Sequence, residues 1–439
     1  MKKIFKVVKV RIVSKSTTEE STMRLIRIAN QCTNYKGFIF EESKLKDNEI
    51  IFTIRPRKSS KAICSGCGNK SPGYDYSKTR LFEMVPIWGM KTFYEYRMRR
   101  VNCVRCQRVV TERIPWAEGK ETTTKEFQIF LASWSEVLSW KVVSRRFKTS
   151  WEKVYRAVSF VVAYGLDNRD LDGVEAIGVD EVKFQLGHKY LTLVYQLNGN
   201  CRRLLWIGKD RTKTCFRNFF DEMEFKQPGF CEDLKYICSD MWKNYIEVAA
   251  EKASNALNIV DRFHIMQKFG KALDRVRIDE VKRLHAEGYE PVLTHSKFCF
   301  LKRVQNLTSK QAIKLKDLLS MNLRSVRAYL LKEEFNHFWE YKQLASAQKF
   351  FHAWCKKAMY SKIEPIKDVV KTLRRHEELI FNWFRAKKLY NNSITEGLNY
   401  NVKLTMRNSY GFRTEKAIKV ALYHKLAHLP RPRAAHEFC

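Results

Sequence analysis

The stretch from residue 175 to 264 constrains the fold most, because it contains two aspartates that each close a short apolar segment with strand character. Asp180 ends the segment that begins at Glu175, and Asp240 ends the one that begins at Leu234. The pattern of apolar residues predicts the remaining elements in this order: strands at 190–197 and 203–208, a helix at 213–223, a helix at 242–253 and a fifth strand at 256–261. The chain therefore reads as three strands, a helix, a strand, a helix and a strand.

This order of elements is the ribonuclease-H-like layout, and it predicts a metal site at one edge of the sheet. Functional groups in open α/β sheets gather beyond the carboxyl ends of the strands. Two carboxylates at that edge repel each other unless a cation lies between them, and Mg²⁺ prefers oxygen ligands. Either aspartate alone is more simply a solvated turn residue. Together, Asp180 and Asp240 favour a site for Mg²⁺ (or Mn²⁺), and two such ions can drive phosphodiester chemistry.

The net charge indicates a polyanionic partner. The chain has 439 residues, enough for more than one domain, and 82 Lys and Arg against 47 Asp and Glu give a formal charge of +35. Nucleic acid is the expected partner. No apolar run approaches the roughly 20 residues that span a bilayer, and Lys6, Lys9 and Arg11 interrupt a start that resembles a signal peptide. We therefore expect a cytoplasmic, nucleoid-associated protein without a membrane partner.

Four of the twelve cysteines have the spacing of a zinc site. Cys64 and Cys67 form one Cys-x-x-Cys pair, and Cys103 and Cys106 form a second. Four thiolates suit one tetrahedral structural Zn²⁺, and the residues between the pairs can form a small sheet, with strands predicted at 80–88 and 91–97. Residues 35–115 are therefore predicted to be a zinc ribbon that binds DNA.

Residues 120–166 predict a helix-turn-helix. Helices are expected at 125–137, 140–147 and 151–162, and Ser150 can cap the third. The predicted shared core consists of Val142, Val143, Phe147, Val154 and Val158. Lys153 and Arg156 would then project outward from a helix that enters a DNA groove. A small helical bundle that does not contact DNA is the competing interpretation.

Two further segments set the domain boundaries. The polar, turn-rich residues 165–173 are expected to form a linker, and residues 265–388 lack strand signals and are predicted to be a helical insertion. The complete expectation is a multidomain α+β chain with an amino-terminal extension at 1–34, the zinc ribbon, the helix-turn-helix, and a ribonuclease-H-like α/β catalytic domain formed by 172–264 and 389–430 around the all-helical insertion.

Glu396 is the candidate third acid. It lies in a helix that is predicted to begin near Ser393. The Ser393-x-x-Glu396 spacing is also that of a capping box, in which the glutamate bonds back to the backbone. Glu377 and Glu378 are rival acids in a charged stretch. The residues alone leave these alternatives open.

The combined motifs resemble the ISL-three family of DDE insertion-sequence transposases. They comprise the four cysteines, the helix-turn-helix, Asp180 in Gly-Val-Asp-Glu, Asp240 followed by Tyr245, the Val-Asp-Arg-Phe-His run 260–264, and the run from Asn392 to Asn399 followed by Lys403, Arg407 and Gly411. The resemblance covers residues 35–428. It implies that Asp180, Asp240 and Glu396 are the DDE triad.

The resemblance also implies a reaction. The triad would hold two Mg²⁺ ions, cut DNA at the transposon end and transfer the freed 3′ hydroxyl to target DNA. Bringing two ends together requires at least a dimer.

Four further residues have weaker assignments. Asp261 and His264 would support the carboxylates of the triad without binding the metal themselves. The alternative is that Asp261 only caps a helix and that His264 is only a packing residue. Lys403 and Arg407 would hold a DNA phosphate, unless they belong to a generic basic surface.

Two other functions fit parts of the pattern. A domesticated DNA-binding regulator would keep the two amino-terminal modules, and a structure-selective nuclease would keep the catalytic fold and its metals.

Overall fold

The computed structural model describes residues 25–33, 35–185, 189–390, 393–409, 412 and 414–433. Most of the predicted amino-terminal extension, 1–34, lies outside these residues. The chain forms two compact units. One contains the described residues up to Arg169 together with those after residue 411, and the other contains those from Asp170 to residue 409.

The amino-terminal unit begins with helix α1 at 25–32 and continues into a five-stranded sheet. Its strands are β1 (Phe38–Lys46), β2 (Glu49–Pro56), β5 (Gly73–Ile87), β6 (Met90–Cys103) and β7 (Arg108–Thr111), in the order β1-β2-β6-β5 with β7 paired to β6. A short hairpin of β3 (Ala62–Ile63) and β4 (Lys70–Ser71) precedes the long β5–β6 hairpin.

Alternation along β6 fixes the buried face of this sheet. Thr92, Tyr94, Tyr96 and Met98 are buried, whereas the residues between them are more exposed, as the period of two in a half-buried strand requires. Trp116 is fully buried against them, and its ring centroid lies 5.3 Å from that of Tyr96. The predicted strands 80–88 and 91–97 lie in this hairpin.

Helices α2 (Lys125–Val137), α3 (Trp140–Arg146) and α4 (Trp151–Asp167) follow at the predicted positions. The hydroxyl of Ser150 accepts a hydrogen bond from the Lys153 amide at 3.2 Å, so the predicted cap is present. Two predictions were wrong. Val142 is 43% exposed and does not belong to the core, and α4 continues to Asp167, so that helix replaces the start of the predicted linker.

The last helix, α16 (Glu415–Leu426), belongs to the amino-terminal unit. It packs against α4, and Leu429 beyond it approaches Gly165 so closely that a Cβ there would lie 2.5 Å from the leucine Cβ. The predicted catalytic segment 389–430 therefore differs from the observed unit, which ends near residue 410. Sequence could not separate the two assignments, because a buried helix face does not reveal its partner.

The second unit contains a five-stranded mixed sheet of order β10-β9-β8-β11-β12. Its strands are β8 (Ala176–Gln185), β9 (Lys189–Gln196), β10 (Arg203–Lys209), β11 (Tyr236–Ser239) and β12 (Leu257–Val260). β8, β9 and β10 pair antiparallel, while β11 pairs parallel with both β8 and β12. These five strands follow one another along the chain as predicted, whereas their order within the sheet was not predicted.

Helices α5 (Lys213–Lys226), α6 (Phe230–Asp233) and α7 (Lys243–Lys252) connect these strands. Phe216, Phe219 and Phe220 of α5 share one buried face, as predicted, and they pack in one core with Ile177 and Val179 of β8. Side chains alternate across a strand. Gly178 and Asp180 therefore point to the opposite face of β8.

The region between β12 and residue 390 is helical. It contains α8 (Arg262–Ala286), α9 (Lys297–Leu301), α10 (Ser309–Leu319), α11 (Arg324–Asn336), α12 (Leu344–Tyr360), α13 (Glu364–Arg375) and α14 (Glu377–Arg385). α15 (Ser393–Asn408) then packs on β8. Among the described helices, none is both long enough and apolar enough to cross a membrane.

Candidate active site and metal centres

The four predicted zinc ligands converge at one end of the amino-terminal sheet. Cys64 follows β3, Cys103 ends β6, and Cys67 and Cys106 lie in the two turns that follow. The Sγ atoms of Cys64 and Cys106 are 3.8 Å apart, and those of Cys67 and Cys103 are 3.5 Å apart. All four sulfurs lie within 4.8 Å of one another.

This arrangement fits Zn²⁺. Sulfurs placed tetrahedrally at about 2.3 Å from zinc are about 3.8 Å apart, which is close to the spacing of the four thiols. Four protein ligands leave no open position for a substrate, so such a site is structural.

Lys153 does not project outward from α4 as predicted. Its Nζ lies 2.5 Å from Oε2 of Glu83 on β5, and the Glu83 side chain is only 4% exposed. Arg156 is exposed, and its guanidinium lies 3.5 Å from Glu121. The charge of Lys153 is therefore neutralised within the protein, and a DNA contact by either residue remains a prediction.

A different set of basic side chains is exposed in this helical region. Lys141, Arg145 and Arg146 are exposed on α3, and Lys148 is exposed in the turn after it. Among the described residues none of the four has a carboxylate partner. These four residues were not among the predicted DNA-binding residues, although basic residues are dense at 141–148 and could have indicated such a surface.

Asp180 lies inside β8 and not at its end, which corrects the sequence prediction. β8 continues to Gln185 because it pairs with β9 over that length. The parallel ladder with β11, however, ends at Gly178 opposite Cys238. Asp180 therefore does lie beyond the edge of the parallel part of the sheet, where the Asp240 side chain also emerges after β11.

Asp240 and Asp261 have equivalent positions after β11 and β12. Oδ1 of Asp240 accepts a hydrogen bond from the Trp242 amide at 2.9 Å, and Oδ1 of Asp261 accepts one from the Phe263 amide at 2.9 Å. Asp261 thereby caps α8, as one alternative predicted. Its Oδ2 lies 3.7 Å from Nε2 of His264.

Glu396 reaches the same region from α15. The residue before it, Thr395, is buried against Gly178, where an added Cβ would lie 2.5 Å from the threonine Oγ1. Because Gly178 has no side chain, α15 can lie directly on β8. The capping-box alternative depends on the Ser393 side chain, which lies outside the described atoms.

Asn399, one turn after Glu396, connects α15 to Asp180. Its Nδ2 donates a hydrogen bond to Oδ2 of Asp180 at 2.5 Å, and its Oδ1 accepts one from the buried Tyr195 hydroxyl at 2.7 Å. Asn399 was part of the recognised motif, but the sequence assigned it no role.

The acids in this region affect one another electrostatically. Burial raises the pKa of Asp180, and the charges of Asp240 and Asp261 raise it further, while the Glu181 amide and His264 lower it. Burial also raises the pKa of Glu396, as do Asp261 and Asp180, against His264 and Lys403. The mutual repulsion and the oxygen donors of these acids fit a hard divalent cation.

The acids are not gathered as tightly as the cysteines. In the part of the chain that the structure describes, the four cysteines are the one group of three or more His, Cys, Asp or Glu residues whose ligand atoms all lie within 4.8 Å. The rival acids have other partners, since Glu377 lies 2.6 Å from His352 and Glu378 lies 2.6 Å from Arg385.

Glu181 and Arg211 extend the site on the β8 side. Tyr245 donates a hydrogen bond to Glu181 at 2.9 Å, and Arg211 lies 4.0 Å from the same carboxylate. The Arg211 guanidinium also lies over the rings of Tyr190 and Trp242, at 4.7 and 5.7 Å. Sequence analysis missed both charged residues, although Glu181 directly follows Asp180.

Lys403 and Arg407 are exposed on α15, and Lys403 acts electrostatically on Glu396. Neither has a carboxylate within ion-pair distance among the described residues. Both therefore remain available to an external anion.

Comparison with known proteins identifies the family. The model of the ISL-three DDE transposases, described as "Transposase", matches residues 177–422, more than half of the 439 residues. The chain belongs to this transposase family. Its members are DNA transposases that use divalent metal ions, and this chain is such an enzyme.

Two relatives match this transposase over most of their length. The transposase for insertion sequence element IS1001 of Bordetella parapertussis is 26% identical over 357 residues, which cover 81% of this chain and 86% of the relative. The transposase for IS1557 of Mycobacterium tuberculosis is 25% identical over 421 residues, covering 89% and 92%.

One solved structure also matches. The Drosophila P element transposase strand transfer complex aligns with a TM-score of 0.37 and 10% identity over 70% of this chain and 92% of that one. This similarity is too low to bear on the argument.

Proposed function

We propose that this transposase binds the terminal inverted repeats of its own insertion sequence and catalyses DNA strand cleavage and strand transfer in a ribonuclease-H-like domain. Asp180, Asp240 and Glu396 would hold two Mg²⁺ (or Mn²⁺) ions. The observation that carries this proposal is the packing of α15, which bears Glu396, directly on β8, which bears Asp180, through Thr395 and Gly178. The charge of Asp180 also raises the pKa of Glu396.

The bound ions would activate the attacking oxygen and stabilise the leaving oxygen of the phosphodiester. The chain's own residues place the ligands. Asn399 holds the Asp180 carboxylate against rotation, and the Trp242 amide orients Asp240. Asp261 and His264 act electrostatically on Glu396 and Asp180 and would tune their charge. Lys403 and Arg407 would hold a phosphate of the bound strand.

The amino-terminal unit would provide DNA recognition. The two proposed DNA-binding modules are the sheet with its structural Zn²⁺ and the helices α2–α4. On the third of these helices, Arg156 and Lys153 would contact DNA, and Lys153 would do so while paired with Glu83. The exposed cations of α3 add to this surface. Because cleavage at both ends must be coordinated, the active complex would be a dimer or a higher oligomer with both transposon ends and target DNA bound.

Two alternatives predict different behaviour. A domesticated regulator would bind the element's end without cutting it. A structure-selective nuclease would cut branched DNA without preferring the element's end and without joining strands. Asp240 raises the pKa of Asp180, and Asp180 raises the pKa of Glu396; this electrostatic coupling favours the enzyme over the regulator.

Strand cleavage and joining by the purified protein would test the proposal. The assay uses Mg²⁺ and a duplex that carries the element's own end, with a scrambled end as control. Wild type should free and join 3′ ends. Asp240→Asn and Glu396→Gln should bind the duplex normally and lose both steps by at least about 1,000-fold, because each removes a ligand to an ion that the reaction requires. Binding without cleavage by wild type would favour the regulator, and cleavage by Glu396→Gln would exclude Glu396 from the triad.

A further inference from the structure

Two cations lie over a pair of contacting tryptophans in the helical region of the second unit. The Arg262 guanidinium lies 5.3 Å from the centre of the Trp339 ring, and the Lys388 ammonium lies 4.7 Å from that of Trp383. The two rings are in contact, with centroids 5.3 Å apart. Lys388 also donates a hydrogen bond to the Trp339 carbonyl at 2.8 Å. Both cations therefore lie against the same pair of contacting rings, those of Trp339 and Trp383.

Two further cations, Arg303 and Lys342, act electrostatically on Arg262 and Lys388. Arg303 lowers the pKa of Arg262 in addition to the effect of burial. Burial also lowers the pKa of Lys388, as do Arg262 and Lys342. Glu340 is the acid that opposes both shifts, but its carboxylate lies 3.1 Å from His337. Among the described residues, none of the four cations has a carboxylate within ion-pair distance.

Packing alone does not explain this arrangement. Cation–π contacts account for the positions of Arg262 and Lys388. They do not account for Arg303 and Lys342, which are exposed and add repulsion. In the described part of the chain, neither of these two cations has a cation–π contact or a carboxylate within ion-pair distance. Four cations near the single acid Glu340 keep a net positive charge, and binding of an anion stabilises such an arrangement.

The location of the cluster points to the source of that anion. Arg262 directly follows Asp261, and consecutive Cα atoms are about 3.8 Å apart. Asp261 acts electrostatically on both Glu396 and Asp180. The cationic cluster therefore begins next to the carboxylate site.

We propose that Arg262, Arg303, Lys342 and Lys388 form a binding site for a backbone phosphate of the DNA strand that enters the carboxylate site. This proposal rests on the proposed function. The planar guanidinium of Arg262 can donate two hydrogen bonds to phosphate, and the ammonium groups act as point charges. Because phosphates carry no sequence information, the site contributes affinity and positioning without selecting a sequence.

The salt dependence of DNA binding provides the test. Full-length wild type, Arg262→Gln, Lys388→Gln and Arg262→Lys are titrated with a duplex carrying the element's end, without Mg²⁺, from 50 to 300 mM NaCl. Each lost phosphate contact should reduce the slope of log K against log salt by about 0.9. If the affinities at 1 M salt are equal, the variant then binds about eightfold more weakly than wild type at about 0.1 M. Arg262→Lys should recover most of the slope, because it retains the charge.

Lys356→Gln is the matched control. Lys356 is exposed, has no carboxylate partner among the described residues and lies 12 residues after Leu344 in α12, about 18 Å along the helix axis. It should bind DNA like wild type. Melting curves of all variants identify any loss of folding, which is a greater risk for the half-buried Lys388 than for Arg262.

Three results would overturn the proposal. Arg262→Gln and Lys388→Gln could keep the wild-type salt slope, or Lys356→Gln could lose as much of that slope as they do. The two variants could also bind DNA like wild type and lose only the stabilisation that inorganic phosphate gives to wild type. The last outcome would indicate a small-anion site. Failure of the proposed function would look different: whatever the salt slopes are, either wild type would not cleave the element's end or Asp240→Asn would retain cleavage.

Discussion

The side-chain amide of Asn399 donates a hydrogen bond to the Asp180 carboxylate at 2.5 Å, across 219 residues of sequence. The Tyr195 hydroxyl donates to the same asparagine at 2.7 Å and so sets which end of the amide faces Asp180. One residue therefore joins the helix that bears Glu396 to the strand that bears Asp180.

Removal of this amide should weaken catalysis more than folding. Asn399→Ala is expected to lower the rate of strand cleavage by about 10- to 100-fold, the usual effect of losing a residue that orients a metal ligand. Tyr195→Phe should cause a smaller loss, because Asn399 keeps its bond to Asp180. Asn401→Ala, an exposed asparagine on the same helix, is the control and should cleave normally. Equal loss in both asparagine variants would contradict the assigned role.

Two glycines test how α15 reaches the sheet. At Gly178 a Cβ would lie 2.5 Å from Thr395 Oγ1 and 3.0 Å from Leu197 Cδ1, whereas at Gly397 nothing lies within 4 Å. Gly178→Ala should lower the free energy of unfolding by about 1–3 kcal/mol through overpacking. Gly397→Ala should raise it by about 0.5–1 kcal/mol, since alanine favours the helix. Chemical denaturation measures both, and a neutral Gly178→Ala would show that α15 does not lie closely on β8.

The zinc site should be structural. Wild type is expected to contain one Zn²⁺ per chain by elemental analysis. Cys106→Ser should lose it and lower the melting temperature of the amino-terminal unit, because metal binding contributes directly to folding. Cys201→Ser, which changes a cysteine in the second unit without ligand spacing, should keep the zinc. Retention of full zinc content by Cys106→Ser would contradict the assignment.

The acids of the catalytic site should destabilise the protein at neutral and higher pH when no Mg²⁺ is present. The pKa values of Asp180 and Glu396 are raised in the folded chain. The folded state therefore binds these protons more tightly than the unfolded state does. The contribution of the two acids to the free energy of unfolding falls as the pH rises through the raised pKa values. Asp180→Asn should thus melt at a higher temperature than wild type at pH 8, with a smaller difference at pH 5.

Mg²⁺ should remove this difference. At a free concentration five times its Kd, Mg²⁺ should stabilise wild type by about 1 kcal/mol at pH 8 and leave Asp180→Asn nearly unchanged. Thermal melts of the zinc-loaded protein at the two pH values provide the measurement. A lower melting temperature for Asp180→Asn than for wild type at pH 8 would contradict a raised pKa of Asp180 in the folded chain.

Local signals allowed much of the fold to be predicted. The boundaries of α2, α3 and the start of α4 depend on capping residues such as Ser150, which lie within three residues of the groups they satisfy. The five strands of the second unit followed from their apolar segments, and the cysteine spacing identified the thiol cluster. Each of these features depends on short-range sequence.

Long-range partners could not be predicted. The expectation that Lys153 faces solvent was wrong because Glu83, 70 residues earlier, accepts its charge. α16 packs against α4, and Asn399 binds Asp180, because of tertiary contacts that no local pattern encodes. Asp180 lies inside β8 because pairing with β9 extends the strand beyond its apolar segment.

Binding of Mn²⁺ to the zinc-loaded protein, followed by electron paramagnetic resonance, tests the central claim most directly, since it asks whether Asp180, Asp240 and Glu396 share one metal site. Asp180→Asn, Asp240→Asn and Glu396→Gln should each weaken Mn²⁺ binding by at least about tenfold. Glu378→Gln, which changes the rival acid that pairs with Arg385, should bind as wild type does. The claim would be contradicted if Glu396→Gln bound Mn²⁺ like wild type while Glu378→Gln lost it.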